Sequence, residues 1–338
     1  MNILNITATD PAGAIYNMAN AVNKFTEHKS RVISFAKVKQ YNFKDDIYTE
    51  DRLKIESPDE VLWLLENSDT LIFHKPQELE WDNFFIDFEN KFFKRKITYN
   101  EITKGKQIIF QHHGEPYSKQ NVFELSERYK SLKANKIIVV TPDLLNIKNS
   151  KYIPNCIPVN DFTYIPRLDG KNGYYPINGE SNVRFLCQSP TPTCNKNMEL
   201  FAAVCHKVKE KYPDTRQFLL YNISQFECLR LKRLAYLGFD HFQGWYGLSS
   251  LEFMSMGIPV INGADDNCVK HINEFFNIDE KQLPFIIAND ENGLQKSIEN
   301  LLDKPGLRGH HGKKSRNFME TIWTEKYIAD KLIEYILL

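Results

Sequence analysis

Along this chain short apolar runs alternate with amphipathic stretches of helix length, the pattern of strands feeding helices in a parallel α/β fold. In the first half, runs at 2–7, 31–35, 70–74, 107–112 and 136–140 read as strands. Helical patterns at 14–25, 58–66 and 122–133 lie between them. In the second half the strands fall at 183–187, 217–221, 259–262 and 285–288, with helices at 197–211, 225–237, 248–256, 269–276 and 291–302. The helix readings rest on spacing. Met198, Phe201, Ala202, Cys205, Val208 and Lys209 recur at the helical period until Pro213 ends the run, which is the signature of a core-facing stripe.

Around Pro154 to Pro176 the periodicity dissolves into Pro, Asn, Asp and Gly, the composition of a linker. The 338 residues are also enough for two domains. Two Rossmann-like halves are therefore expected: 1–160, then 161–318, with a last segment at 319–338. In open sheets of this kind, ligands sit beyond the carboxyl ends of the strands.

Composition narrows the function classes. Hydrophobic residues make up 42% and charged residues 25%, a soluble globular balance. Lys+Arg and Asp+Glu are equal at 43 each, which disfavours a generic nucleic-acid or anionic-membrane binder. The basic stretch Lys91-Phe92-Phe93-Lys94-Arg95-Lys96 reads as the solvated face of an amphipathic helix. No apolar run reaches about 18 residues, so no membrane span is expected, and the chain begins directly in a strand rather than a signal peptide. The six cysteines include no Cys-x-x-Cys pair and read as reduced thiols of a cytoplasmic protein.

Four places could carry chemistry. The turn from Thr7 to Ala14 joins a strand to a helix with one glycine, Gly13, which is neither a dinucleotide fingerprint nor a P-loop. Gln111-His112-His113-Gly114-Glu115 ends another strand, and its adjacent histidines point to opposite faces, which argues against zinc. Lys196-Asn197 opens a helix, where a lysine is unfavourable against the dipole unless an anion sits there or water solvates it. The segment from Gly244 to Gly263 is the most informative. A glycine turn opens a helix bearing Glu252, then Gly257-Ile258-Pro259 leads into a strand. Such a helix start suits a diphosphate, and a carboxylate further along suits a ribose diol. His310-His311-Gly312, in basic and glycine-rich surroundings, reads as a loop.

Taken in order, these segments resemble the retaining GT-B glycosyltransferases of the glycosyltransferase 4 type. Tyr152-Ile153-Pro154-Asn155-Cys156-Ile157-Pro158 with Phe162 is similar to that family's linker. Lys196-Asn197 resembles its Lys-Asn/Gly, and Gly244 to Ile261 resembles its Glu-x7-Glu signature. Ile322-Trp323-Thr324 through Tyr335 resembles its closing helix, which returns to the first domain.

The resemblance implies a GT-B architecture, with two Rossmann-like domains facing a central cleft. It implies transfer of a sugar from a nucleoside diphosphate, such as a UDP-sugar, to an acceptor hydroxyl with retention and without a metal or other cofactor. Glu252 would hold the ribose, Lys196 the phosphates, and the backbone at Gly247, Leu248 and Ser249 the diphosphate or sugar. Gly13 would approach the donor phosphates from the first domain, with His113 or His112, and Glu115, near the transferred sugar or acceptor. A glycan or lipid-linked acceptor is expected, the latter placing the protein at the inner membrane face. Modified bases of DNA are the alternative acceptor, and a degenerate nucleotide-sugar-binding protein or an epimerase of the same fold are alternative functions. Two departures stand out: Gly244 occupies the place of the first signature glutamate, and the arginine that usually precedes the lysine is absent from 188–193.

Overall fold

The computed structural model describes residues 1–34, 47–48, 58–74, 98–113, 127, 129–130, 132–167, 183–190 and 196–338. The basic stretch at 91–96, Glu115 and most of the 122–133 segment lie outside the described residues. Two compact units are present. The first comprises Met1–Cys156 with Ile328–Leu338, the second Ile157–Tyr327.

Unit 1 is built on a seven-stranded, all-parallel sheet in the order β3-β2-β1-β4-β5-β6-β7. Its strands are β1 (Asn2–Thr7), β2 (Lys29–Ser34), β3 (Ile47–Tyr48), β4 (Thr70–His74), β5 (Gln107–His112), β6 (Lys136–Val139) and β7 (Ser150–Tyr152). Central strands covered on both faces need no polar alternation, and β4 and β5 are buried almost throughout. Helix α1 (Ala14–Phe25) presents Ile15, Met18, Ala19 and Val22 to the core, and α2 (Pro58–Asn67) presents Val61, Leu64 and Leu65. The short α3 (Tyr99–Thr103) starts on a capping box of Thr98 and Glu101. Strand order reverses direction between β1 and β4, which makes the carboxyl ends of those strands the crevice of this unit.

Unit 2 has a five-stranded parallel sheet in the order β12-β11-β10-β8-β9. The strands are β8 (Arg184–Gln188), β9 (Thr215–Leu219), β10 (Ala235–Phe239), β11 (Val260–Asn262) and β12 (Ile286–Ile287). Helices α4 (Met198–Lys211), α5 (Gln225–Lys232), α6 (Leu248–Ser255), α7 (Asp266–Phe276), α8 (Glu291–Asp303) and α9 (Pro305–Thr321) surround it. Phe201, Val204, Cys205 and Val208 of α4 meet Leu294, Ile298 and Leu301 of α8 over Leu186, Leu237 and Phe239 of the sheet. The stripe seen in the sequence is thus core packing. Here the order reverses between β8 and β10.

The last helix, α10 (Glu325–Leu337), crosses the unit boundary. Its final turns join unit 1, where Gln107 Nε2 donates to Ile336 O at 2.8 Å and Tyr335 Oη donates to Ile137 O at 3.3 Å.

Two expectations are corrected. The helix expected over 225–237 ends at Lys232, and Ala235–Phe239 is the central strand β10. Leu234 to Leu237 continues the apolar pattern with no breaker, and periodicity cannot separate a short buried strand from a buried helix end. His310-His311-Gly312 lies inside α9 rather than in a loop. Its glycine marks close packing: a Cβ on Gly312 would overlap the Gly257 carbonyl at the end of α6.

Candidate functional site

In unit 2 the carboxyl ends of β8 and β10 converge on one buried carboxylate, Asp240. Its Oδ2 accepts from the Gly247 N–H at 2.6 Å and from Ser250 Oγ at 2.8 Å. Its Oδ1 accepts from Lys196 Nζ at 3.1 Å. Burial opposes the Asp240 charge, but Lys196, His241, Ser250 and the Gly247 amide outweigh it and hold the carboxyl well below its ordinary range. The neighbouring His241 is pushed down by burial, against the pull of Asp240.

Lys196 is brought here by the backbone around it. Gln188, the last residue of β8, donates through Nε2 to Lys196 O at 2.6 Å and to Asp240 O at 3.0 Å, tying the two loops together. Asn197, in the left-handed region at φ 58°, accepts the Phe242 N–H at 2.9 Å and turns the chain into α4. The anion that a lysine at this helix start requires is thus present within the chain.

Gly247 is the N-cap of α6 and approaches this pair closely. A Cβ there would sit 2.9 Å from Asp240 Oδ2 and 3.0 Å from Lys196 Nζ. A larger residue would push the carboxylate or the ammonium aside. Gly244, which opens the turn, has φ +85°, a region where L side chains are strained. Its carbonyl accepts from Asp265 N at 2.9 Å. Where the resemblance expects a glutamate, the backbone itself selects glycine. The turn is held from beneath by Tyr246, whose buried ring meets Trp323 edge-on at 5.3 Å.

Along α6, Glu252 is buried and ion-paired with Lys232 of α5, which is 1% exposed. Burial alone works against the Lys232 ammonium, but Glu252 outweighs it and holds that group up at about 12. Lys232 Nζ also donates to Ser249 Oγ at 3.0 Å, and Ser249 Oγ lies 2.9 Å from Ser189 Oγ. Lys196, Gly247, Ser249 and Glu252 are therefore gathered at one end of one sheet, with Leu248 half-buried among them. Asp240 and Lys232 were not singled out in the sequence. The first follows β10, whose sequence reads as the end of a helix, so no strand marks it. The second is hidden in the basic run Arg230-Leu231-Lys232-Arg233, which reads as a solvated helix face.

Unit 1 holds the remaining candidates. Gly13 is the N-cap of α1, at φ 69°. Asp10 already accepts from the first-turn amides there, Ile15 N at 3.0 Å and Tyr16 N at 2.8 Å. His112 and His113 part company as adjacent strand residues do. His112 is fully buried, with Nε2 2.8 Å from the Tyr129 hydroxyl, a core position. His113 Nε2 lies 2.9 Å from Nδ1 of His74, the last residue of β4, and His74 Nε2 lies 3.0 Å from Asn5 Oδ1 in β1. Among the described residues no group of three His, Cys, Asp or Glu side chains is placed to hold a metal ion, and no helix is long and apolar enough to cross a membrane.

No protein-family model and no curated protein matches the sequence. Solved structures do. A TarM variant of S. aureus in complex with fondaparinux, alpha-GlcNAc-glycerol and UDP matches with TM-score 0.63 and 12% identity, over 99% of this chain and 100% of that one. HepE of Anabaena in complex with UDP matches at 0.60 and 12%, over the whole of both chains. The catalytic domain of starch synthase IV from Arabidopsis thaliana, bound to ADP and acarbose, matches at 0.60 and 11%, over 100% and 99%. With its two parallel-sheet units, this chain has the GT-B fold of those structures.

Proposed function

We propose that this protein is a glycosyltransferase that takes a sugar from a nucleoside diphosphate, retaining its configuration and using no metal ion. One observation carries the reading: Lys196, the N-terminus of α6 and the buried Glu252 are assembled at the switch point of the unit 2 sheet, where open α/β sheets bind ligands. A cation and a helix N-terminus supply the positive field that a departing diphosphate needs, and such groups contribute about 10²–10³ in rate each. Solved structures of the same fold holding UDP or ADP support the choice of ligand. The acceptor is a glycan or lipid-linked hydroxyl, and salt-sensitive binding of a DNA duplex would point instead to modified bases.

A second reading, nucleotide-sugar binding without transfer, is favoured by two features of the site. Asp240 already occupies the Gly247 amide and the Lys196 ammonium, so a diphosphate competes with it for both. Gly244 also supplies no carboxylate to a donor sugar.

Turnover separates the two. Purified protein with a panel of nucleoside-diphosphate sugars and acceptors, in the presence of EDTA, should release nucleoside diphosphate and give a product of retained anomeric configuration by NMR. Lys196→Ala and Glu252→Ala should each cut that release at least a hundredfold, measured per molecule that remains folded by circular dichroism. Unchanged turnover in both variants would overturn the assignment, and binding without release from any donor would establish the second reading.

A further inference from the structure

The histidine pair of unit 1 carries more information than its position. Asn5 lies at the start of a directional chain of hydrogen bonds. Its amide nitrogen lies 3.0 Å from the Arg31 carbonyl, which only accepts, and 2.9 Å from Ser30 Oγ. That fixes which end of the amide faces which way. Oδ1 is left facing His74 Nε2 at 3.0 Å, and an amide oxygen only accepts. His74 Nε2 therefore bears the ring proton.

His74 is 1% exposed, and burial pushes its imidazole down to about 3, so it is neutral across the physiological range. A neutral ring protonated at Nε2 has a lone pair at Nδ1. That lone pair lies 2.9 Å from His113 Nε2, which must supply the proton. The sequence Arg31 O, Asn5, His74, His113 thus has one polarity. His74 ends β4 and His113 follows β5, while Asn5 lies within β1 and Arg31 within β2, so the chain of bonds runs from inside the sheet to the carboxyl ends beside its switch point.

We infer that His74 is a positioning residue that fixes the ring orientation and the tautomer of His113, so that the neutral His113 ring carries its proton on Nε2 and its lone pair on Nδ1. Any ligand group that reaches His113 Nδ1 then meets an acceptor. Resting on the assignment of His113 to the transferred sugar, His113 takes a hydroxyl proton in a hydrogen bond and has none to give to a leaving group.

The test is a long-range ¹H–¹⁵N correlation spectrum of the full chain labelled at histidine, assigned with His113→Gln. Wild-type His113 should show a protonated Nε2 and an unprotonated Nδ1. His74→Phe removes the acceptor and should release that tautomer preference. Asn5→Asp should stabilise a doubly protonated His74, which donates from Nδ1 and so moves the His113 proton to Nδ1. A wild-type His113 protonated at Nδ1 overturns the inference, as does an unchanged His113 pattern in folded His74→Phe or Asn5→Asp. The wild-type spectrum decides the tautomer even where neither variant folds. These readouts need no turnover, so failure of the transferase assignment leaves them standing and is seen separately, as absence of nucleoside diphosphate release.

Discussion

Two buried ion pairs define unit 2 at the residue scale, and they differ in how visible they are in the sequence. Lys196 and Glu252 stand out because their places relative to glycine, helix and strand carry meaning. Their partners Asp240 and Lys232 do not, because pairing across 44 and 20 residues leaves no periodic trace. Each partner changes the energetics. Removing one member of a buried pair leaves an uncompensated charge and costs roughly 3–5 kcal/mol, whereas replacing both with apolar side chains can be nearly neutral. Lys232→Met should therefore lower the free energy of urea unfolding by that order, and Lys232→Met with Glu252→Leu should recover most of it. Additive losses would show that the pair is not coupled. Asp240 gives a pH signature of defined sign. Its carboxyl is held below the unfolded value, so its contribution is present above about pH 4 and is lost as the pH falls toward the depressed native value. The stability gap between wild type and Asp240→Asn, measured by urea titration, should be wider at pH 6 than at pH 3. A gap independent of pH would mean that Asp240 is not held as a carboxylate.

At the scale of elements, strands and helices with clean boundaries were legible and those without were not. β1, β4, β5 and α1 fall where alternation of apolar run and amphipathic stretch puts them. β10 was absorbed into the helix before it, because an apolar run continues across Leu234 with no punctuation. α9 was missed because Gly309 and Gly312 look like loop residues, whereas Gly312 is there to let α9 approach Gly257. Gly312→Ala should accordingly destabilise the protein by about 1–3 kcal/mol through overpacking, against the small gain expected for Gly→Ala in an exposed helix. An increase in unfolding free energy would show that the two backbones do not meet. The Gly244 turn gives a sharper test. Restoring the signature glutamate with Gly244→Glu should cost about 1–2 kcal/mol, because the residue must hold φ +85°. Thermal denaturation with no loss of Tm would show that the turn relaxes readily. The same strain explains why the sequence departs from the signature at this position.

For the whole molecule, two parallel α/β units and a closing helix that ends in the first of them were readable from the order of weak motifs, although the chain is only about 12% identical to the solved structures it resembles in fold. How the starts of α1 and α6 are satisfied was not readable. Asp10 meets the first-turn amides of α1, and Asp240 meets the N-cap amide and the Ser250 hydroxyl of α6, both from within the same chain. A short acidic side chain in a loop gives no sign, in sequence alone, of whether it caps a helix or faces water. Nucleotide recognition by unit 2 is the central claim, and whether a diphosphate takes over from Asp240 decides it. Calorimetric titration of the intact protein with UDP, ADP and GDP, repeated with Lys196→Ala, tests this most directly. At least one nucleoside diphosphate should bind saturably to the wild type and at least tenfold more weakly to the variant. Equal affinity for both proteins, or no binding of any of the three to the wild type, would contradict it.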